Sequence, residues 1–330
     1  LILKRVLFCL LITSSSSELL LGQESPRFDQ LRQSVFTLWE ENRHQEAIFL
    51  LEDSKDHFNL PKHQHALVYY LGLLYLELGK HQKYFEVFKS GFGQEFFFSF
   101  WPTHIELLSK SSEGQNVMDQ NSQVREEFMK TSTVEYSVIL PEGYDAKSQY
   151  PLLYFLHGNN SNLSSLQAQW QHVLLNRRLI VVLAQSSYAR SNFSFDWVEY
   201  PDVISDFQKT HEVVLNEHSI EKKQVMIGGF SNGGRFAINR FLDQDIKASG
   251  FLTFNPSRTS KISEKDTHKG RGVIITGESD YLIKGQEEFS RLLEEAGFPL
   301  KFEVVQGSGH EYPDDFDRLL NESIKFLMEK

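Results

Sequence analysis

The stretch Gln224-Val225-Met226-Ile227-Gly228-Gly229-Phe230-Ser231-Asn232-Gly233-Gly234 constrains what this chain can fold into more than any other. A short apolar run, Val225 to Ile227, ends in glycines and presents one serine. The chain then enters Arg235-Phe236-Ala237-Ile238-Asn239-Arg240, which reads as helix. Gly229-Phe230-Ser231-Asn232-Gly233 fits the pattern G-x-S-x-G. In that pattern a strained strand-to-helix turn lifts a serine hydroxyl clear of a sheet, and flanking glycines admit the tight backbone. The helix start also supplies N–H groups and a positive dipole end where an oxyanion would form. The pentapeptide alone is weak; the strand before it and the helix after it strengthen it.

From Val124 onward the hydrophobic period suits such a turn. Val124–Met129 and Val134–Leu140 alternate, although the first of these could equally be a helix end. Short apolar runs follow at 152–156, 179–184, 225–227, 250–254, 273–276 and 302–305. Helical patterns at 165–175, 202–216, 235–243 and 286–296 separate most of them. Apolar strands alternating with helices predict an α/β fold, a mainly parallel sheet covered on both faces.

Acyl transfer by serine needs a base to take its proton and a carboxylate to hold that base. In an open α/β sheet such groups lie where strands end. The run Val273–Thr276 ends in Gly277-Glu278-Ser279-Asp280, and Phe302–Val305 ends in Gln306-Gly307-Ser308-Gly309-His310. Ser231, Asp280 and His310 therefore each follow a strand, in the order Ser…Asp…His. Asp280 could instead cap a helix, and Glu278 competes as the acid. An oxyanion hole needs two backbone N–H donors. The candidates are Asn232, which follows the serine, and Asn159 in Leu156-His157-Gly158-Asn159-Asn160; His157 reads as structural.

The N-terminal part is different. From Pro26 to about Leu108 the pattern is helical. Residues 41–47 align with residues 78–84 at a spacing of 37, and Leu71-Gly72, Tyr75, Gly79 and Phe88 sit where tetratricopeptide repeats place such residues. This region resembles two degenerate repeats of that kind, stacked through small-for-large contacts; an ordinary helical bundle is the competing reading. The cluster Phe96-Phe97-Phe98-Ser99-Phe100-Trp101 reads as packing, with an exposed ligand platform as the alternative. Residues 110–122 are rich in Ser, Gln and Asn, so the domain boundary is expected there: a helical, repeat-like domain over 25–112 and a catalytic domain over 113–330.

Lys4 and Arg5 precede an apolar run, Val6 to Ile12, and then small residues, Thr13 to Ser17. That order predicts a signal peptide over 1–24 and a secreted or periplasmic protein. The run is too short to span a bilayer. Cys9, the only cysteine, lies inside it, so the cleaved protein would have no disulfide, Cys-ligated metal or thiol nucleophile. The net charge of −10 argues against nucleic acid as a partner.

Taken together, the sequence resembles the α/β-hydrolase superfamily and, within it, the esterase branch with enterochelin-esterase-like and esterase D-like enzymes. The resemblance rests on Leu140–Tyr144, Tyr150–Gly158, the Ser231 turn, Gly277–Asp280 and Gly309-His310, and spans about residues 120–330. The Gly-Gly-x-Ser-Asn-Gly-Gly run is also similar to prolyl-oligopeptidase-like peptidases, although no propeller-sized domain precedes it. The resemblance implies hydrolysis of a small-molecule ester through an acyl-enzyme, with no metal or organic cofactor. Asn160 and the loop residues Tyr188, Phe193 and Trp197 are candidates for the substrate pocket; that loop could equally pack on its own aromatics. Two other readings stay open. One is an amide or small-peptide hydrolase with the same triad. The other is a binding protein whose helices hold a protein partner and whose hydrolase part is an inactive scaffold.

Overall fold

The computed structural model describes residues 26–257 and 270–329, and the chain divides into two compact units. The expected signal peptide, Cys9 included, lies outside the described residues. One unit runs to Ser132 and includes Ala189–Phe193; the other takes Thr133–Tyr188 and the chain from Ser194.

The first unit is all helix: α1 (Pro26–Glu40), α2 (His44–Ser54), α3 (Pro61–Glu77), α4 (His81–Phe92), α5 (Pro102–Leu108) and α6 (Ser112–Met129). Pro61 and Pro102 open their helices, where the missing N–H costs no bond. Trp39, Leu51, Leu74, Tyr84, Phe88, Leu108 and Val117 share one core. Helices α3 and α4 approach closely at Gly72, where a Cβ would lie 2.5 Å from the Phe88 ring.

The aromatic cluster is packing and not an exposed platform: Phe96, Phe97 and Phe98 are buried, and Phe98 stacks on His65 with ring centroids 4.6 Å apart. The segment is neither helix nor strand, so side chains must satisfy its backbone. Asn121 Oδ1 accepts from Phe98 N at 2.8 Å and its Nδ2 donates to Phe98 O at 3.0 Å. Phe97 N donates to Asn192 Oδ1 at 2.8 Å, and Asn192 Nδ2 donates to Glu95 O at 3.0 Å.

The expected linker is corrected by the same contacts. Residues 112–129 form one helix, capped by Ser111 Oγ accepting from Gly114 N at 3.0 Å, and it buries Val117 and Asn121. The units divide at Ser132 and Thr133, not at 112. Helix also replaces the alternation read at 124–129. The polar composition misled because one of its asparagines is a buried backbone partner.

In the second unit seven strands form one sheet: β1 (Glu135–Ile139), β2 (Tyr150–Leu156), β3 (Ile180–Gln185), β6 (Ile220–Phe230), β7 (Gly250–Phe254), β8 (Arg271–Gly277) and β9 (Leu300–Val305). Two short strands, β4 (Ala189–Ser191) and β5 (Ser194–Phe195), lie between β3 and β6 in the chain. The order is β1-β3-β2-β6-β7-β8-β9, with β1 antiparallel to β3 and the other neighbours parallel. Helices α7 (Leu163–Trp170), α8 (Pro201–Glu217), α9 (Ser231–Leu242), α10 (Ile283–Glu295) and α11 (Phe316–Leu327) flank it.

Both faces are covered, which is why the strands read as continuous apolar runs. Tyr154, Val182 and Ile227 pack with Phe207, Phe236 and Phe289 of α8, α9 and α10. Phe155, Val181 and Met226 pack with Trp170 of α7 and Leu320 of α11. The mostly parallel sheet with helices on both faces fits the α/β-hydrolase arrangement expected from the sequence.

Register then decides where the loops emerge. Phe230 pairs with Phe254, Phe254 with Ile275, and Gly277 with Val305. Strands β6, β8 and β9 therefore finish near one edge, and the residues after them share it.

Candidate active site

Ser231 opens α9 directly after β6 and has φ +50, a left-handed conformation unusual for a residue with a side chain. Such strain persists only where the surroundings over-determine it, and it turns the chain sharply from strand into helix. Ser231 is 8% exposed. Its Oγ lies 2.9 Å from His310 Nε2, and His310 Nδ1 lies 2.9 Å from Asp280 Oδ2. The three residues, 30 and 79 positions apart from His310, form one hydrogen-bonded series.

Asp280 is buried and accepts hydrogen bonds at both carboxylate oxygens. Leu282 N donates to its Oδ1 at 2.8 Å, and Gln286 Nε2 donates to its Oδ2 at 3.3 Å. Gln286 sits in α10 and also donates to Pro256 O at 2.9 Å. Glu278, the competing acid, is exposed and accepts from Gly307 N at 3.2 Å, so Asp280 is the carboxylate that meets the imidazole. The His310 ring lies beside Phe230 (5.3 Å) and the exposed Tyr281 (4.9 Å). Tyr312 stacks on Phe230 with ring centroids 4.4 Å apart, and burial pushes its hydroxyl pKa up.

Asn232 is the second residue of α9, where a helix amide has no carbonyl one turn back to bond. Its side chain is spoken for: Nδ2 donates to Trp197 O at 3.0 Å and Oδ1 accepts from Ser257 Oγ at 3.0 Å. Asn159 and Asn160 are exposed in the loop after β2. The buried Asp196 shapes that loop. It accepts from Asn160 N at 2.7 Å, and the Asn159 amide nitrogen, turned toward the carboxylate, donates to Oδ2 at 2.8 Å. Asn160 itself turns the chain at φ +53. His157 is buried, accepts from Ser186 N at 3.2 Å through Nε2 and donates through Nδ1 to Gly158 O at 2.6 Å. Burial lowers its pKa to about 4, so the ring is a neutral structural group.

One expected pocket residue is corrected. Trp197 is fully buried, with its ring 4.8 Å from Phe236 and 5.6 Å from Phe207, so the core takes the ring and the backbone carbonyl serves α9. Phe193 belongs to the helical unit, where it packs edge-on against His65 at 5.4 Å. Tyr188 is half-buried, edge-on to Tyr200 at 5.4 Å. The residues that sequence reasoning missed are Asp196 and Gln286. Each acts through a hydrogen bond to a distant loop, and no local pattern announces such a bond.

Among the described residues no cluster of three or more His, Cys, Asp or Glu is placed to hold a metal ion, and no helix is long and apolar enough to cross a membrane.

Comparison with known proteins finds similarity over parts of the chain. A family model described as the dienelactone hydrolase family matches residues 185–323, a span that contains Ser231, Asp280 and His310. No curated protein matches the chain. Among solved structures, an uncharacterized protein from Bacillus cereus ATCC 10987 is 22% identical over 91% of this chain and 98% of its own, with a TM-score of 0.50. That likeness shows a shared fold. Esterase PE8 is 15% identical over 59% of this chain and 100% of its own, TM-score 0.49. The fluorophosphonate-binding serine hydrolase F of Staphylococcus aureus is 17% identical over 59% of this chain and 92% of its own, TM-score 0.45.

Proposed function

We propose that the protein is a serine hydrolase that cleaves carboxylic esters through an acyl-enzyme. The observation that carries this reading is the series from Ser231 Oγ to His310 Nε2 and from His310 Nδ1 to Asp280 Oδ2, each step 2.9 Å, at strand ends along one edge of the sheet. The family match across 185–323 supports it. In the reading, the Ser231 hydroxyl gives its proton to His310 Nε2 as Oγ attacks the ester carbonyl carbon. The oxyanion of the tetrahedral adduct takes backbone N–H bonds from Asn232 and Asn159. His310 returns the proton to the leaving alkoxide, and Asp280 stabilises the imidazolium between the two transfers. Water then repeats the sequence on the acyl group. For the helical unit, the contact of Gly72 with Phe88 supports a repeat-like stack able to hold a protein partner.

The test is covalent labelling by a fluorophosphonate probe together with hydrolysis of matched aryl esters and aryl amides. Labelling and ester turnover in the parent, both absent from Ser231→Ala, are expected. Ester turnover surviving in that variant within about tenfold of the parent would remove Ser231 as nucleophile. Faster amide than ester turnover would move the reading to an amidase.

A further inference from the structure

Strand β7 contributes no residue to the Ser231–His310–Asp280 series, yet the three residues after it reach all of its loops. Ser257 N donates to Ser231 O at 3.0 Å. Pro256 O accepts from Gln286 Nε2, the same nitrogen that donates to Asp280. Asn255 makes the widest connection. Its backbone N–H donates to Ile275 O at 2.7 Å, its Oδ1 accepts from Gly277 N at 2.8 Å, and its Nδ2 donates to Glu311 O at 2.6 Å. One amide side chain thus bonds the start of the acid loop and the residue after His310.

The backbone around Asn255 also points to a fixed role. Asn255 is 2% exposed and has φ +46. Among residues with side chains, asparagine tolerates that region best, because its short amide bonds locally. Here both ends of the amide are used, and on different loops. A buried amide with donor and acceptor both satisfied is the kind of group that fixes one arrangement out of several. The acid and histidine loops come from neighbouring strands, β8 and β9, but β-ladder hydrogen bonds end at Gly277 and Val305. Beyond that point Glu278 N still donates to Val305 O and Ser279 N to Ser308 O, each at 2.9 Å, but these bonds stop short of His310, and it is the Asn255 amide that reaches the residue after it.

We propose that Asn255 is a positioning residue that holds the His310 loop against the Asp280 loop, so that Nδ1 of His310 stays on the carboxylate and Nε2 on Ser231. This rests on the reading of those three residues as a triad. Asn255 touches no reacting atom. Its effect runs through the Glu311 carbonyl and the Gly277 amide.

Two variants test it. Asn255→Asp keeps the size and the acceptor toward Gly277, but as a carboxylate it has nothing to donate to Glu311 O. Asn255→Gly keeps the positive φ, adds no charge and removes both bonds. The readout is the proton that His310 Nδ1 shares with Asp280, which resonates at low field in the NMR spectrum and is missing in His310→Ala. Expected is a sharp resonance in the parent and in Ser231→Ala, shifted upfield or broadened away in both Asn255 variants. Ester kcat should fall about tenfold or more with KM little changed, since ground-state binding is untouched. An unchanged resonance in either folded variant overturns the proposal, as does its absence from the parent. Should a variant fail to show a cooperative melt, the parent decides by itself: slow solvent exchange of the Asn255 side-chain amide protons is expected, and fast exchange overturns the proposal. A parent with the resonance but no ester turnover would sink the ester reading and leave this inference standing.

Discussion

Gly277 and Gly309 approach so closely that a Cβ on the first would lie 2.2 Å from the carbonyl oxygen of the second. The atoms in the way are backbone, including Ser308 O at 2.5 Å, so neither loop can yield by rotating a side chain. Gly277→Ala is therefore expected to push the histidine loop off the acid loop. Ester turnover should fall by about tenfold or more, while the melting transition stays cooperative. A variant with parental kcat would mean that the two loops tolerate separation.

The choice between two carboxylates is open to direct measurement. Asp280→Asn should lower kcat by several orders of magnitude, because the amide cannot hold His310 in the tautomer that accepts the serine proton. Glu278→Gln should leave kcat within about threefold of the parent, since its carboxylate is exposed and bonds only Gly307 N among the described contacts. The reverse result would reassign the acid.

In the helical unit two substitutions should act in opposite directions. Gly72→Ala drives a methyl into Phe88 and should cost about 1–3 kcal/mol of unfolding free energy in urea. Tyr84→Phe removes a fully buried hydroxyl that has no hydrogen-bond partner among the described residues, and stability should hold or rise. A loss of more than about 1 kcal/mol in Tyr84→Phe would reveal a partner for that hydroxyl.

Acid should weaken the helical unit through its buried histidines. Burial holds His104 and His65 near a pKa of about 4, below the ordinary value of 6.5; a bond from His65 to Phe97 O only partly offsets this. The unfolded chain then binds more protons than the folded one between those values. Their contribution is thus complete above about 6.5 and is lost as pH falls toward 4. Unfolding free energy measured at pH 8, 6 and 5 should decline, and His104→Phe should flatten the decline. An equal slope in that variant would place the acid sensitivity elsewhere.

Much of the sheet-bearing unit was legible because its signals are local. Runs such as Leu152–Leu156 and Val273–Thr276 need only a hydrophobic pattern to be read as buried strands, and β2 and β8 lie there. The turn at Ser231 announces itself through its glycines. The boundary at 110–122 was misread for the opposite reason. Asn121 lies in a polar run, but its amide serves the backbone of Phe98, 23 residues earlier. A chain cut at Asn116 would divide α6 and strip residues from the core that holds Val117.

By itself the sequence determined the alternation of strand and helix, the serine at its strained turn, and the order in which serine, acid and histidine follow their strands. These depend on side-chain polarity and backbone freedom over a few neighbouring residues. Only the tertiary structure decided that Asp280 and not Glu278 meets His310, that Trp197 fills the core, that Ala189–Phe193 belongs with the helices, and that Asn255 ties two loops. Each of these depends on a partner dozens of residues away. The register of the parallel strands brings the loops of the sheet-bearing unit together, and a hydrogen bond does not exist until both of its ends have been placed.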